Sequence, residues 1–127
     1  MNKPEIVIID DQPTICKEIA SYLMNDYSVH AFKSGKEAIA YLERNRADLV
    51  LLDYYMPGMT GFETLLHIRQ NEFISDIPVI FLTAETNDRL EYEMKQRGAN
   101  DYLCKPIEAP DLHKCIRKHL STARPAT

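Results

Sequence analysis

The chain has 127 residues, 45% apolar and 27% charged, which is enough for one hydrophobic core and too little for two domains. No apolar run approaches the roughly 20 residues that cross a bilayer, and the first residues lack the basic-then-apolar layout of a secretory leader, so neither a membrane protein nor an exported one is expected. A net charge of −4 works against non-specific binding to a phosphate backbone and excludes nucleic acid as the default partner.

Glu5–Ile9 opens the chain with a nearly continuous aliphatic run, the pattern of a central strand covered by helices on both faces. Residues 13–24 place Ile15, Ile19 and Leu23 on one face behind Pro13, which predicts a first helix. Residues 27–32 interleave Ser28 and His30 with Val29 and Ala31 and read as a strand at the sheet edge. Ser34-Gly-Lys-Glu37 has capping-box spacing and starts a second helix; residues 49–52 form another central strand, and Thr60-Gly-Phe-Glu63 repeats the capping box for a third helix. Residues 77–82 are a third central strand. Thr86 is expected to cap a fourth helix, which ends at Gly98 and has the weakest apolar stripe. Residues 101–104 are short, partly polar and suited to the other edge. Pro110 then opens a fifth helix carrying Leu112, Cys115, Ile116 and Leu120 at helical spacing. Residues 121–127 are small and polar, a tail or the start of a linker after a domain of residues 1–120. Cys16, Cys104 and Cys115 form no C-x-x-C pair and have no nearby histidine pair, so neither a disulfide framework nor a zinc site is indicated, and reduced thiols in a cytoplasmic protein are expected.

Alternating strand and helix periods predict βαβ units, hence an α/β fold with a doubly wound parallel sheet. In such a sheet the carboxyl ends of the strands share one edge, where ligands bind at the point at which strand order reverses. Asp10 and Asp11 follow the first strand, Asp53 ends the third, Thr83 follows the fourth and Lys105 the fifth. Each has an ordinary reading alone: the aspartates and the threonine as caps or turn formers, the lysine as a solvated cation. Their coincidence at four strand ends favours a site. Two unit charges about 4 Å apart repel by about 4 kcal/mol at an effective dielectric near 20, so clustered carboxylates there call for a cation. Only oxygen donors are on offer, which suits Mg²⁺, or Mn²⁺, rather than zinc. A carboxylate beside such an ion, with a lysine and a hydroxyl opposite, suits acceptance of a phosphoryl group.

Asp10-Asp11 after an aliphatic strand, Asp53-Tyr-Tyr-Met-Pro-Gly58, Thr83-Ala84, Gly98-Ala-Asn-Asp-Tyr102 and Lys105-Pro106, in that order, resemble the response-regulator receiver domain of two-component signalling. The resemblance implies a flavodoxin-like (βα)5 sandwich with a five-stranded parallel sheet of order 2-1-3-4-5, the order for which flavodoxin and the chemotaxis receiver are the reference cases. It implies that Asp53 is the phosphoacceptor, that Asp11, Asp53 and the backbone carbonyl of Tyr55 ligate the metal, and that Asp10 orients metal-bound water. It also implies that Thr83 moves to the phosphoryl group, that Lys105 contacts a phosphoryl oxygen, that Tyr102 rotates with the switch, and that the bond before Pro106 is cis. The implied partners are a histidine kinase or phosphotransfer protein and an effector domain or downstream protein, with a homodimer through the face of the fourth helix, fifth strand and fifth helix as a further possibility. The implied role is a signalling switch that promotes its own phosphorylation and dephosphorylation.

Three other readings compete with this one. A haloacid-dehalogenase-like phosphatase needs a second aspartate two residues beyond the nucleophile, where this chain has Tyr55. A receiver-like binding module that is never phosphorylated is disfavoured by the intact Asp10, Asp11, Asp53, Thr83 and Lys105. A flavodoxin-like cofactor binder is disfavoured by the acidic first loop, which would repel a phosphate.

Overall fold

The computed structural model describes residues 3–121, in which five strands alternate with five helices. In chain order these are β1 (Glu5–Ile9), α1 (Pro13–Leu23), β2 (Ser28–Phe32), α2 (Gly35–Leu42), β3 (Leu49–Asp53), α3 (Gly61–Gln70), β4 (Val79–Thr83), α4 (Asp88–Gln96), β5 (Asp101–Cys104) and α5 (Ala109–Ser121). All strand pairs are parallel, and the order is β2-β1-β3-β4-β5, so the partly polar β2 and β5 are the edges. This is the expected flavodoxin-like arrangement.

The period-2 alternation of the central strands divides the core into two layers. Ile6, Ile8, Leu49, Leu51, Ile80 and Leu82 point to one face and pack with Ile19 and Leu23 of α1 and Leu112 and Ile116 of α5. Val7, Ile9, Val50, Leu52, Val79 and Phe81 point to the other and meet Ala38 and Leu42 of α2, Leu65 and Ile68 of α3 and Met94 of α4. At about 25 cal/mol per Å² of apolar area buried, these two layers are the main source of stability. Helix α4 contributes little to them, since Met94 is its only fully buried residue.

Local chemistry sets the element ends. The Thr60 capping box forms in full, Thr60 and Glu63 exchanging bonds in both directions, whereas at Ser34 only half of it forms: Ser34 Oγ accepts the Glu37 amide, and its hydroxyl, not its backbone amide, donates to Glu37 Oε2 at 3.1 Å. The cap of α4 is a correction, because Asn87 rather than Thr86 accepts the Leu90 amide, at 2.9 Å, while the Thr86 hydroxyl reaches Glu91 instead. Gly98 (φ +103°) ends α4: its amide donates to Lys95 O and that of Ala99 to Met94 O, a paired closure that needs a left-handed residue. Strand β4 begins at Val79, two residues later than expected, since Pro78 has no amide to give a ladder. Helix α5 starts one residue before Pro110 and includes Ser121; residues 122–127 lie outside the described region. Arg69 of α3 is a tie that the sequence does not advertise, donating to the carbonyls of Ser75, Ile77 and Gly98 and to Asn100 Oδ1 at 2.7–3.1 Å.

Candidate functional site

The parallel sheet carries the ends of β1, β3, β4 and β5 to one edge, and the acidic loop after β1 meets the end of β3 because those strands are neighbours. One carboxylate oxygen from each of Asp10, Asp11 and Asp53 lies within 4.8 Å of the other two. Asp10 and Asp53 are almost fully buried, at 1% and 4% exposure, whereas Asp11 is more open. Gly61 lets α3 start directly over this edge: a Cβ there would sit 2.7 Å from the Asp53 carbonyl oxygen and 2.9 Å from that of Tyr54.

Lys105 is the cation of the cluster. It follows β5, the bond to Pro106 is cis, and its Nζ donates to Asp10 Oδ2 at 3.2 Å and to Asp53 Oδ1 at 3.1 Å. Burial opposes its charge, but the carboxylates of Asp10 and Asp53 prevail and raise its pKa. The other oxygen of Asp10 accepts the Gln12 amide at 3.0 Å, and Asp53 Oδ1 also receives the Tyr55 amide at 3.4 Å. For Asp53, burial and then the charge of Asp10 outweigh the help from Lys105, so its pKa is raised from 3.8 to about 6. A carboxylate held against that much desolvation and repulsion, in an all-oxygen donor set, fits an added divalent cation.

Thr83 is buried at the end of β4, where its hydroxyl donates to Glu85 O at 2.7 Å and accepts the Glu85 amide at 3.2 Å. The hydroxyl is therefore engaged with the β4–α4 loop rather than with the carboxylates. Tyr102 on β5 is half-buried against the core layer shared by α3 and α4. The Tyr55 ring is 70% exposed and stands edge-on to Tyr54, with centroids 5.0 Å apart.

Three features escaped the sequence reading. Cys16 donates to the Asp10 carbonyl at 3.4 Å, and burial, then Asp10 and Asp53, push its thiol up to about 11. Arg97, at the end of α4, lies 4.2 Å over the Phe62 ring. Phe62 in turn stacks edge-on with Tyr54 and Phe81 beside the end of β3. Asp101, Cys115 and His119, which are scattered in the sequence, meet between β5 and α5, with Asp101 Oδ2 2.8 Å from His119 Nε2 and receiving the Cys115 thiol at 3.6 Å. Their only signal was the four-residue spacing of Cys115 and His119 on one helix. All three cysteines are free thiols, as expected.

Comparison with known proteins bears on what this edge does. Residues 6–117 match the family of response regulator receiver domains. A probable cyclic di-GMP phosphodiesterase of Vibrio cholerae is 39% identical over 119 residues, covering 94% of this chain and 27% of that protein. The regulatory protein VanRc of Enterococcus gallinarum is 38% identical over 117 residues, covering 91% of this chain and 49% of that protein. The chain thus spans about a quarter to a half of these curated relatives. Among solved structures, the receiver domain of the sensor histidine kinase PA1611 of Pseudomonas aeruginosa, with a magnesium ion in its active-site cleft, superposes with a TM-score of 0.86 at 29% identity, covering 94% of this chain and 98% of that one. A family match over nearly the whole described chain, together with the 2-1-3-4-5 sheet and its acidic edge, establishes that the chain belongs to the response-regulator receiver domains, phosphoacceptor switches of two-component signalling.

Proposed function

We propose that Asp53 accepts the phosphoryl group, and the observation that carries this reading is its position: a buried carboxylate at the end of β3, 3.1 Å from Lys105 Nζ and beside Asp10 and Asp11. With a pKa of about 6 it is ionised at neutral pH, yet poorly solvated, as suits a nucleophile. A carboxylate oxygen of Asp53 forms a bond to phosphorus as the phosphorus–nitrogen bond of a phosphohistidine breaks, and the leaving imidazole takes a proton from solvent. Lys105, already bridging Asp10 and Asp53, supplies positive charge where the phosphoryl oxygens arrive. Asp11, Asp53 and the Tyr55 backbone carbonyl would hold Mg²⁺, or Mn²⁺ in its place, with Asp10 acting through a water molecule. When bound, that ion neutralises charge on the phosphoryl oxygens. Cys16 stays a neutral thiol and does not compete as a nucleophile.

Transmission follows from what Thr83 holds. Its hydroxyl is bonded to the backbone of Glu85, so turning that hydroxyl toward a phosphoryl oxygen releases the β4–α4 loop. Helix α4, held in the core by the buried Met94 and the partly buried Leu90 only, is the least costly element to move, and Tyr102 beside it is the ring that would follow. The face of α4, β5 and α5 would then present a changed surface to an output domain, a separate protein or a second copy of the chain. The donor would be a histidine kinase or phosphotransfer protein, in the cytoplasm, with no direct nucleic-acid contact from this domain. Among the described residues no helix is long and apolar enough to cross a membrane.

Incubation with acetyl phosphate and Mg²⁺ should add one phosphoryl mass to the intact protein, and Asp53→Asn should abolish the addition. Undiminished phosphorylation of the Asp53→Asn protein would overturn the assignment.

A further inference from the structure

We propose that Asp101, Cys115 and His119 form a second metal site, selective for a borderline transition cation such as Zn²⁺ and separate from the acidic edge. Cys115 and His119 are four residues apart on α5 and therefore share a face, and that face lies against the first residue of β5. One donor atom from each of Asp101, Cys115 and His119 lies within 4.8 Å of the other two. Metal bonds of about 2.0–2.3 Å in tetrahedral geometry place neighbouring donors about 3.3–3.6 Å apart. The oxygen–sulfur distance here is 3.6 Å and the oxygen–nitrogen distance 2.8 Å, so an ion fits if the histidine and carboxylate part by about half an ångström.

The donor chemistry separates this cluster from the other one. Asp10, Asp11 and Asp53 offer oxygen alone and favour a hard cation, whereas a thiolate and an imidazole discriminate against Mg²⁺. Cys115 and His119 are buried, at 8% and 7% exposure, while the Asp101 side chain is 27% exposed and opens the fourth position to water. On binding, the sulfur–metal bond forms as the thiol proton leaves to solvent, the Nε2 proton shared with Asp101 is likewise lost to solvent as Nδ1 takes one up, which frees the Nε2 lone pair of His119 for the metal, and Asp101 exchanges two hydrogen bonds for one metal bond. Burial and the nearby Asp101 charge push the free thiol up to about 12, so the metal must displace a tightly held proton. An occupied site would staple α5 to β5. The proposal does not depend on which residue accepts phosphoryl.

Cobalt titration of the reduced full chain, with Mg²⁺ in large excess to fill the acidic edge, tests it. The expected result is a thiolate-to-cobalt charge-transfer band in the near ultraviolet that saturates at one equivalent and is removed by Zn²⁺. The band should persist in Cys16→Ser, Cys104→Ser and Asp53→Asn, vanish in Cys115→Ser, and need at least tenfold more cobalt in His119→Gln. The native chain alone can refute the idea, since absence of the band there overturns it whatever the variants do. Survival of the band in Cys115→Ser, or its loss in Cys104→Ser, overturns it equally.

Discussion

Replacing Asp53 with asparagine should stabilise the metal-free protein, by an amount that grows with pH. The carboxylate is buried beside Asp10, and its pKa is raised from 3.8 to about 6. At about 1.4 kcal/mol per pH unit, the ionised form is held in the fold at a cost of about 3 kcal/mol relative to its unfolded state. The folded state binds this proton more tightly than the unfolded chain, so this group's effect on stability is absent below about pH 4. Stability falls as pH rises through the window from 3.8 to about 6, and the loss is complete above it. Asparagine keeps the shape without the charge and escapes that loss. Urea denaturation in a chelating buffer should therefore show the variant about 1–3 kcal/mol more stable near pH 8, or several degrees in melting temperature, with an advantage smaller by about 1 kcal/mol near pH 5. Saturating Mg²⁺ should narrow the gap at pH 8 by stabilising the parent protein. Equal stabilities at pH 8 without metal, or a gap that ignores pH, would refute the electrostatic reasoning.

Asp11→Ala should remove most of the Mg²⁺ dependence of the melting temperature, which for a ligand at a hundredfold excess over Kd is worth about 2.7 kcal/mol; calorimetry with and without Mg²⁺ checks this. Thr83→Ala should still take up phosphoryl but lose the amide shifts around Tyr102 when a beryllofluoride mimic is added, as followed by nuclear magnetic resonance. Arg69→Ala should cost about 2–4 kcal/mol in urea denaturation, because it strands the carbonyls of Ser75, Ile77 and Gly98 that its guanidinium now satisfies.

Where local chemistry decides, the sequence is readable. The aliphatic runs of β1, β3 and β4 are buried on both faces and cannot be anything but central strands, and Ser34 and Thr60 cap helices through atoms only three residues away. The strand-end carboxylates were legible for the same reason, since a parallel sheet delivers strand ends to one edge whatever fills its core. Features that depend on the rotation of a helix about its axis were not. Whether Cys115 and His119 face Asp101, and whether Arg97 reaches Phe62, depends on how α5 and α4 sit on the sheet. Thr86 and Asn87 are both good caps one residue apart, and the position of the Leu90 amide settles the choice in favour of Asn87. Arg69 reads as one more surface cation until the carbonyls around it are placed.

Chemical trapping of the phosphorylated residue tests the central claim most directly. The protein is treated with acetyl phosphate and Mg²⁺, reduced with borohydride, which converts an aspartyl phosphate to homoserine, and mapped by peptide mass spectrometry. Homoserine at position 53, with Asp10 and Asp11 unchanged, is the predicted result; homoserine at position 10 or 11, or none anywhere in a protein that has gained phosphoryl mass, would contradict it.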